Sequence, residues 1–360
     1  MKQSPFLLSI IIVSYNTREL LEKCLDSIAR SLTLDVRNVK TNTLHPSSVK
    51  PQASSVSYEI IVVDNHSTDG TKEYLSNIAL EQYRNIDKKR KQSKRLNGYK
   101  ANANKRSIPL KVIFNNDNLG FAGGNNVGIR DALKNKADFI FILNNDTEIK
   151  NDCILNLWQT FLEEGKIGVV SPKIYYAPGF EFHKERYQKK NLGRVIWYAG
   201  GKIDWDNVLG CHLGVDEVDH GQYEKRKENE FATGCAFMAK RAVFEDVGLF
   251  DERFCLYLED LDFSYRVAKA GFKLVFNPQA VVWHKNAGSS SAGSALQTYY
   301  FTRNRLLFAQ KHAPLKLRLL IYRQALKKLR QGNKIEKEAV RDFFKRRFGL
   351  KEVGKIERND

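Results

Sequence analysis

Through the first half of the chain, short apolar runs alternate with longer amphipathic stretches. Residues 7–13 (LLSIIIV) are almost unbroken apolar sequence, the mark of a strand buried on both faces. Residues 59–63 (EIIVV), 110–114 (LKVIF) and 138–143 (DFIFIL) repeat the pattern. Helical periodicity fills the gaps. Leu21, Leu25, Ile28 and Leu32 share one helical face, and Asn16 with Glu19 has the spacing of a capping box. A helix is expected from about Thr71, and residues 123–135 read as a helix opening on glycines. Ile154, Leu157, Trp158, Phe161 and Leu162 form an i, i+3, i+4, i+7, i+8 stripe that Gly165 stops. Strands separated by helices predict an α/β fold with a mostly parallel sheet covered on both faces.

Two segments interrupt that order. Residues 35–57 are rich in Ser, Asn, Thr and Pro, and residues 84–106 are basic and poor in apolar side chains. Both read as solvated surface insertions. Further on, residues 172–230 mix short strands with glycine and aromatic residues. Residues 231–271 read as a small-residue loop, an acidic turn and a helix, and after Ser294 the chain turns helical and basic. No internal repeat is evident.

Composition narrows the class. With 42% hydrophobic residues in 360, a sizeable core is expected and global disorder is not. The five cysteines, odd in number and without CxxC spacing, fit free thiols in a reducing compartment. The N-terminal apolar run reads as a core strand, not a signal peptide, and no stretch reaches the roughly 18 apolar residues of a membrane span. A formal charge of +18 calls for an anionic partner: nucleic acid, anionic lipid or a nucleotide diphosphate.

In a parallel sheet, ligands bind beyond the carboxyl ends of the strands. Each first-half strand ends in a polar cluster there: Ser14-Tyr15-Asn16, Asp64-Asn65, Asn115 to Asn118, and Asn144-Asn145-Asp146. One such cluster is ordinary turn chemistry, but four in phase point to a site. The run 120–126 (GFAGGNN) precedes a helix and could offer backbone N–H groups to a phosphate, although it is neither GxGxxG nor a P-loop. Asp146, a lone carboxylate at a strand end, suits a hard cation shared with a diphosphate. Glu259, Asp260 and Asp262 crowd three acids at a helix start; this fits macrodipole compensation and equally a general base with a raised pKa. His284 ends another strand, beside a Ser/Gly run.

Taken in order, these motifs resemble family 2 glycosyltransferases of the GT-A fold, in particular the bacterial rhamnosyltransferase-like branch. The resemblance is carried by SIIIVSYN (9–16), IIVVDNHSTDGT (60–71), NDNLGFAGGNNVGI (116–129), FILNNDTEI (141–149), YAGGKID (198–204) and the block 232–290, which includes LEDLDFSYR (258–266) and VVWHKNAGSS (281–290). It implies a GT-A type, Rossmann-like, mostly parallel sheet flanked by helices over residues 1–290. Residues 6–150 would be the nucleotide-sugar half and 151–290 the acceptor half, with 291–360 a C-terminal basic helical extension. It also implies an inverting transferase of cell-surface polysaccharide synthesis. Tyr15, Asn16, Asp64 and Asn65 match the positions around the nucleotide, and Gly123, Gly124 and Asn125 the donor loop. Asn144-Asn145-Asp146 falls on the DXD position, with Asp146 as ligand for Mg2+ or Mn2+, His284 as a further ligand and Asn145 beside the donor. Asp260 matches the catalytic base and Glu259 its support, while Gly234 and Cys235 fall in a loop by the acceptor. Asn in place of Asp at the first two metal-motif positions leaves a single carboxylate there.

The first donor expected by resemblance is dTDP-L-rhamnose, with a UDP-hexose or UDP-galactofuranose using the same framework, and the acceptor is a glycan or lipid-linked glycan. The basic tail, including Arg303, Lys311, Lys316, Arg318, Arg323, Lys327 and Arg330 interleaved with leucines, reads as an amphipathic helix. It lies on a membrane surface, packs on the catalytic domain, or does each over a different portion. The resulting expectation is a cytoplasmic protein peripheral to the inner membrane. The competing reading is a nucleic-acid-binding basic protein, but the basic runs lack interleaved aromatic stacking platforms and no nucleic-acid module is present.

Overall fold

A computed structural model of the chain describes residues 6–35, 56–79, 109–286 and 294–351. Most of the two expected insertions, 35–57 and 84–106, and most of the Ser/Gly run after His284 lie outside the described residues. The elements in chain order are β1 (Phe6–Ser14), α1 (Arg18–Asp35), β2 (Val56–Asp64), α2 (71–79), β3 (Leu110–Phe114), α3 (Gly120–Lys134), β4 (Phe139–Leu143), β5 (Thr147–Ile149), α4 (Cys153–Thr160) and β6 (Ile167–Tyr176). There follow β7 (Ile196–Tyr198), β8 (Gly201–Asp204), β9 (Leu209–His212), β10 (Lys227–Glu228), β11 (Ala236–Lys240), α5 (Arg241–Val247), α6 (Glu259–Lys269), β12 (Lys273–His284), α7 (Ala295–His312), α8 (Leu315–Gln331) and α9 (Lys334–Phe344).

The main sheet runs β10-β12-β6-β11-β4-β1-β2-β3. β3, β2, β1 and β4 are mutually parallel, and β6 pairs parallel with β12. Antiparallel pairing enters at several places: β11 is inserted antiparallel between β4 and β6, β10 and β5 pair antiparallel with β12, and β7 with β6. The β11 sequence, AFMAK, reads from periodicity as part of a small-residue loop, because unlike 59–63 and 110–114 it holds no β-branched residue.

Alternation along the strands divides the core. Ile10, Ile12, Val62 and Phe141 face α1, α2 and α4, through Leu21, Ile28, Leu75, Ile154 and Trp158. Ile11, Ile61, Val63 and Ile142 face α3, α5 and α6, through Ile129, Val243, Phe263 and Val267. Burying each such side chain contributes about 1.5–3 kcal/mol. The expected cover on both faces is therefore present.

Local details differ from the sequence reading for identifiable reasons. Asn16 does not cap α1. It sits at φ 52°, its Oδ1 accepts the Thr68 N–H at 2.7 Å, and Asp69 takes the Arg18 N–H at 3.0 Å. The turn after β2 thus caps the helix after β1. Helix α3 opens at Gly120, one turn before the first paired glycines, and α4 stops at Thr160, leaving Leu162 exposed. The basic tail is not uniform. α7 buries Tyr299, Tyr300, Arg303, Leu306, Leu307 and Phe308, and shares a core with Phe254, Leu258 and Leu261 at the start of α6. By contrast, α8 buries only Ile321 and Ala325.

Candidate active site

The carboxyl ends of β1 to β4 are stitched together by the polar residues that follow them. The Asn65 N–H donates to the Ser14 carbonyl at 2.8 Å, and the Asn115 N–H to the Asp64 carbonyl at 2.9 Å. Asn115 Nδ2 donates to Asn65 Oδ1 at 2.8 Å, and Asn65 Nδ2 donates to the Gly120 carbonyl at 2.9 Å. Asn145 Nδ2 reaches Ser14 Oγ at 3.3 Å and also bonds Thr17 Oγ1. The four strand-end clusters therefore form one continuous edge.

Within that edge the candidate residues separate by availability. The amides of Asn16, Asn65 and Asn145 are engaged in the edge itself, and buried Asn125 bonds the Phe121 carbonyl one turn back. Gly123 and Gly124 lie inside α3, not in a loop. A Cβ on Gly124 would come within 2.7 Å of Val13 Cγ1 and 2.8 Å of Asn65 Nδ2, so glycine there lets the helix press against the edge. The Gly120 and Ala122 N–H groups are already bonded, to Asn118 Oδ1 and the Cys255 carbonyl. Tyr15 and Asp64 differ from these. The Tyr15 ring is 39% exposed, and among the described residues buried Asp64 Oδ1 has no hydrogen-bond partner while Oδ2 accepts from the Ser67 N–H.

Asp146 and His284 come together from opposite halves of the chain. β5 and β12 pair antiparallel with His284 opposite Thr147, which sets His284 Nε2 3.1 Å from Asp146 Oδ1, both groups buried. The Lys285 N–H closes the turn on the Asp146 carbonyl at 2.9 Å. Burial works against a charged His284, but the facing Asp146 carboxylate and Cys235 outweigh it, holding the imidazole pKa well above its usual value. Among the described residues His284 Nδ1 has no hydrogen-bond partner, and the Trp197 ring meets the imidazole edge-on at 4.6 Å between ring centroids.

Asp260 approaches the same region from α6. The Gly234 N–H donates to its Oδ2 at 2.7 Å and the Leu261 N–H to its Oδ1 at 2.8 Å. Burial raises its carboxyl to about 6, against the pull of those two N–H donors. Its neighbour Glu259 is pushed well above the usual carboxylate range, first by burial and then by the Asp260 charge, and among the described residues its Oε2 has no partner. Asp262 differs from both. Although burial opposes it, His312, Arg266 and Lys311 hold it ionised below the usual range. It anchors α6 to α7 and does not face the site.

Cys235 joins the two halves of the site. It follows Gly234, its carbonyl accepts the Asn144 N–H at 2.8 Å, and its thiol bonds His284. Its thiol lies within electrostatic reach of Asp146 and Asp260. Sequence reading overlooked Trp197, which stands immediately before the YAGGKID motif, and His212, which packs edge-on to Trp197 at 4.4 Å and whose pKa burial lowers to about 4. Their only sequence signal is aromatic density beside a glycine pair.

A divalent cation can be tested against these residues. Asp146 offers one oxygen, and His284 one nitrogen once its Nε2 proton leaves to make way for the cation; among the described residues no group of three or more His, Cys, Asp or Glu could enclose an ion. Mg2+-type sites commonly take one or two protein ligands and complete their coordination with phosphates and water. The pair fits a site of that shared kind and does not fit a closed protein cage.

The glycosyl transferase family 2 profile matches residues 9–248. Among curated relatives, the low-salt glycan biosynthesis hexosyltransferase Agl10 of Haloferax volcanii is 26% identical over 201 residues, 55% of this chain and 59% of that protein. The N-acetylglucosaminyl-diphospho-decaprenol L-rhamnosyltransferase of Mycobacterium tuberculosis is 34% identical over 82 residues, 22% of this chain and 27% of that one. The match thus spans less than two thirds of the length of each of these relatives. A solved structure of GalNAc-T7 with UDP, GalNAc and Mn2+ superposes with a TM-score of 0.57 at 15% identity, covering 96% of this chain and 57% of that one. The expected GT-A type architecture is the one observed.

Proposed function

The chain belongs to glycosyl transferase family 2, and on that premise we propose that it transfers a sugar from a nucleotide-diphosphate donor to a glycan or lipid-linked acceptor, inverting the anomeric centre. The observation that carries this reading is the convergence of Asp260 on Asp146 and His284 through the Gly234-Cys235 link. This reading is supported by a buried carboxyl raised to about 6, suited to a base, linked to an Asp–His pair suited to a shared cation, at the carboxyl end of a sheet where ligands of such folds bind.

Tyr15 offers its exposed ring to the base, and Asp64 Oδ1 accepts a ribose hydroxyl. Asp146 and His284 would hold Mg2+ or Mn2+, which when bound offsets the negative charge of the leaving nucleoside diphosphate. Asp260 takes the proton of the acceptor hydroxyl as that oxygen attacks the anomeric carbon, and the bond to the diphosphate oxygen breaks. The Gly234 and Leu261 N–H groups fix both oxygens of Asp260 and set its direction of approach. Glu259, kept protonated by burial, adds no second charge beside it. One displacement with one base inverts configuration.

dTDP-L-rhamnose is the first donor proposed, in keeping with the rhamnosyltransferase relative; a UDP-hexose or UDP-galactofuranose would use the same groups. The α8 surface supports contact with an anionic membrane carrying a lipid-linked acceptor. It exposes Leu315, Leu319, Leu320 and Leu326 beside Lys316, Arg323, Lys327 and Arg330, and its sequence contains no acidic residue. No helix among the described residues is long and apolar enough to cross a membrane. The test is a donor panel: purified protein, Mg2+ or Mn2+, each nucleotide sugar, and a lipid-diphosphate-linked acceptor. Acceptor-dependent release of nucleoside diphosphate with an inverted product is expected, and failure with every donor would remove the proposal.

A further inference from the structure

The segment 253–258 leads directly into Glu259 and Asp260, and its backbone is unusual. Cys255 (φ 64°), Tyr257 (φ 67°) and Leu258 (φ 68°) all lie in the left-handed region without being glycine. Side chains disfavour that conformation, which persists only where the surroundings over-determine it. The surroundings here are two adjacent residues of α7. Arg303 is 1% exposed and Asn304 0%. Arg303 Nη2 donates to the carbonyls of Arg253 (2.9 Å) and Phe254 (2.8 Å), and Asn304 Nδ2 to those of Phe254 (2.8 Å), Leu256 (2.8 Å) and Tyr257 (2.7 Å).

The pair is itself locked. Arg303 Nε donates to Asn304 Oδ1 at 3.0 Å and Nη1 to the Gly349 carbonyl at 3.1 Å, and Tyr299, Tyr300 and Phe348 place their rings around the guanidinium. A buried cation is costly unless its donors are matched, so Arg303 needs the segment's carbonyls as much as the segment needs Arg303. The opposite side of the segment meets the start of α3. The Cys255 carbonyl accepts the Ala122 N–H at 3.1 Å, and a Cβ on Gly120 (φ 70°) would collide with Cys255 Sγ.

We propose that Arg303 and Asn304 are positioning residues for Asp260. By gripping 253–258 against the glycine-rich start of α3, they couple the donor side of the site to the base. The proposal rests on the reading of Asp260 as base. It assigns a role to residues beyond the 9–248 matched by the family profile, in what sequence alone reads as an appended tail.

The experiment uses the full chain with the near-isosteric Asn304→Asp, which removes the amide donors. Two readouts are taken: hydrogen exchange over 253–261 without any ligand, and kcat and KM for the donor that the panel identifies. Faster exchange confined to 253–261 and the start of α3, with kcat down about 10²-fold and donor KM within about threefold, is the expected result. A folded variant with unchanged exchange, or with faster exchange and kcat within about threefold of the parent, overturns the proposal. If Asn304→Asp does not fold, Arg303→Lys, which keeps the charge but not the fork, is judged on the same readouts. Failure of the base reading is separable: full transfer by Asp260→Asn removes Asp260 as base, whereas the exchange result reports the grip on 253–261 regardless of chemistry.

Discussion

His284 Nε2 lies 3.1 Å from Asp146 Oδ1, and the contact exists because β12 and β5 run antiparallel with His284 opposite Thr147. Two residues far apart in sequence thus share one buried turn. Asp146→Ala and His284→Ala should each lower transfer by about 10²-fold or more and weaken Mn2+ binding measured calorimetrically in the presence of UDP or dTDP. Undiminished transfer in excess chelator would sink the cation role of the pair.

Asp260 predicts the shape of the pH profile. With its carboxyl near 6, the fraction present as base grows as pH rises through 6 and then levels off. Transfer under limiting acceptor should be about tenfold lower at pH 5 than on the plateau. A flat profile between pH 5 and 8 would exclude Asp260 as the titrating base.

The same shift has a consequence for stability. The folded-state carboxyl is raised above the unfolded value of 3.8, so ionising it disfavours the fold progressively from about pH 4 to about pH 6, with the full penalty above that. Asp260→Asn should therefore raise stability by on the order of 1 kcal/mol at pH 8 and leave it unchanged at pH 3, while abolishing most transfer. Denaturant midpoints at the two pH values measure it. A loss of stability at pH 8 would contradict the assigned burial cost.

Gly124 tests whether close approach of α3 to the strand tips matters. Gly124→Ala sets a methyl group within 2.7 Å of Val13 Cγ1 and should cost about 1–3 kcal/mol and weaken UDP or dTDP binding. Gly165→Ala, with nothing within 4 Å, is the control and should stay within about 0.5 kcal/mol of the parent.

On α8, the paired change Leu319→Glu and Leu326→Glu should reduce cosedimentation with anionic phospholipid vesicles by about tenfold or more, and salt should weaken the binding of the parent chain. Equal binding to neutral and anionic vesicles would argue against the basic face.

The strand–helix alternation and the polar strand ends were legible from sequence because both are local. A doubly buried strand must be apolar throughout, and an amphipathic helix must repeat every 3.6 residues. Four such strands in order also implied their common carboxyl edge, where Asp64 and Asp146 stand. Periodicity could not show the antiparallel insertion of β11, whose AFMAK holds no β-branched residue, nor that the turn at Asp69 caps α1 in place of Asn16. Nor could it separate α7 from α8: both read as basic amphipathic tail, yet one buries Arg303 and the other exposes its leucines. That distinction, like the meeting of Asp146, His284, Cys235 and Asp260, depends on which surfaces pack against which. Burial and pairing between distant segments arise only when the whole core assembles, so only the tertiary structure decided them.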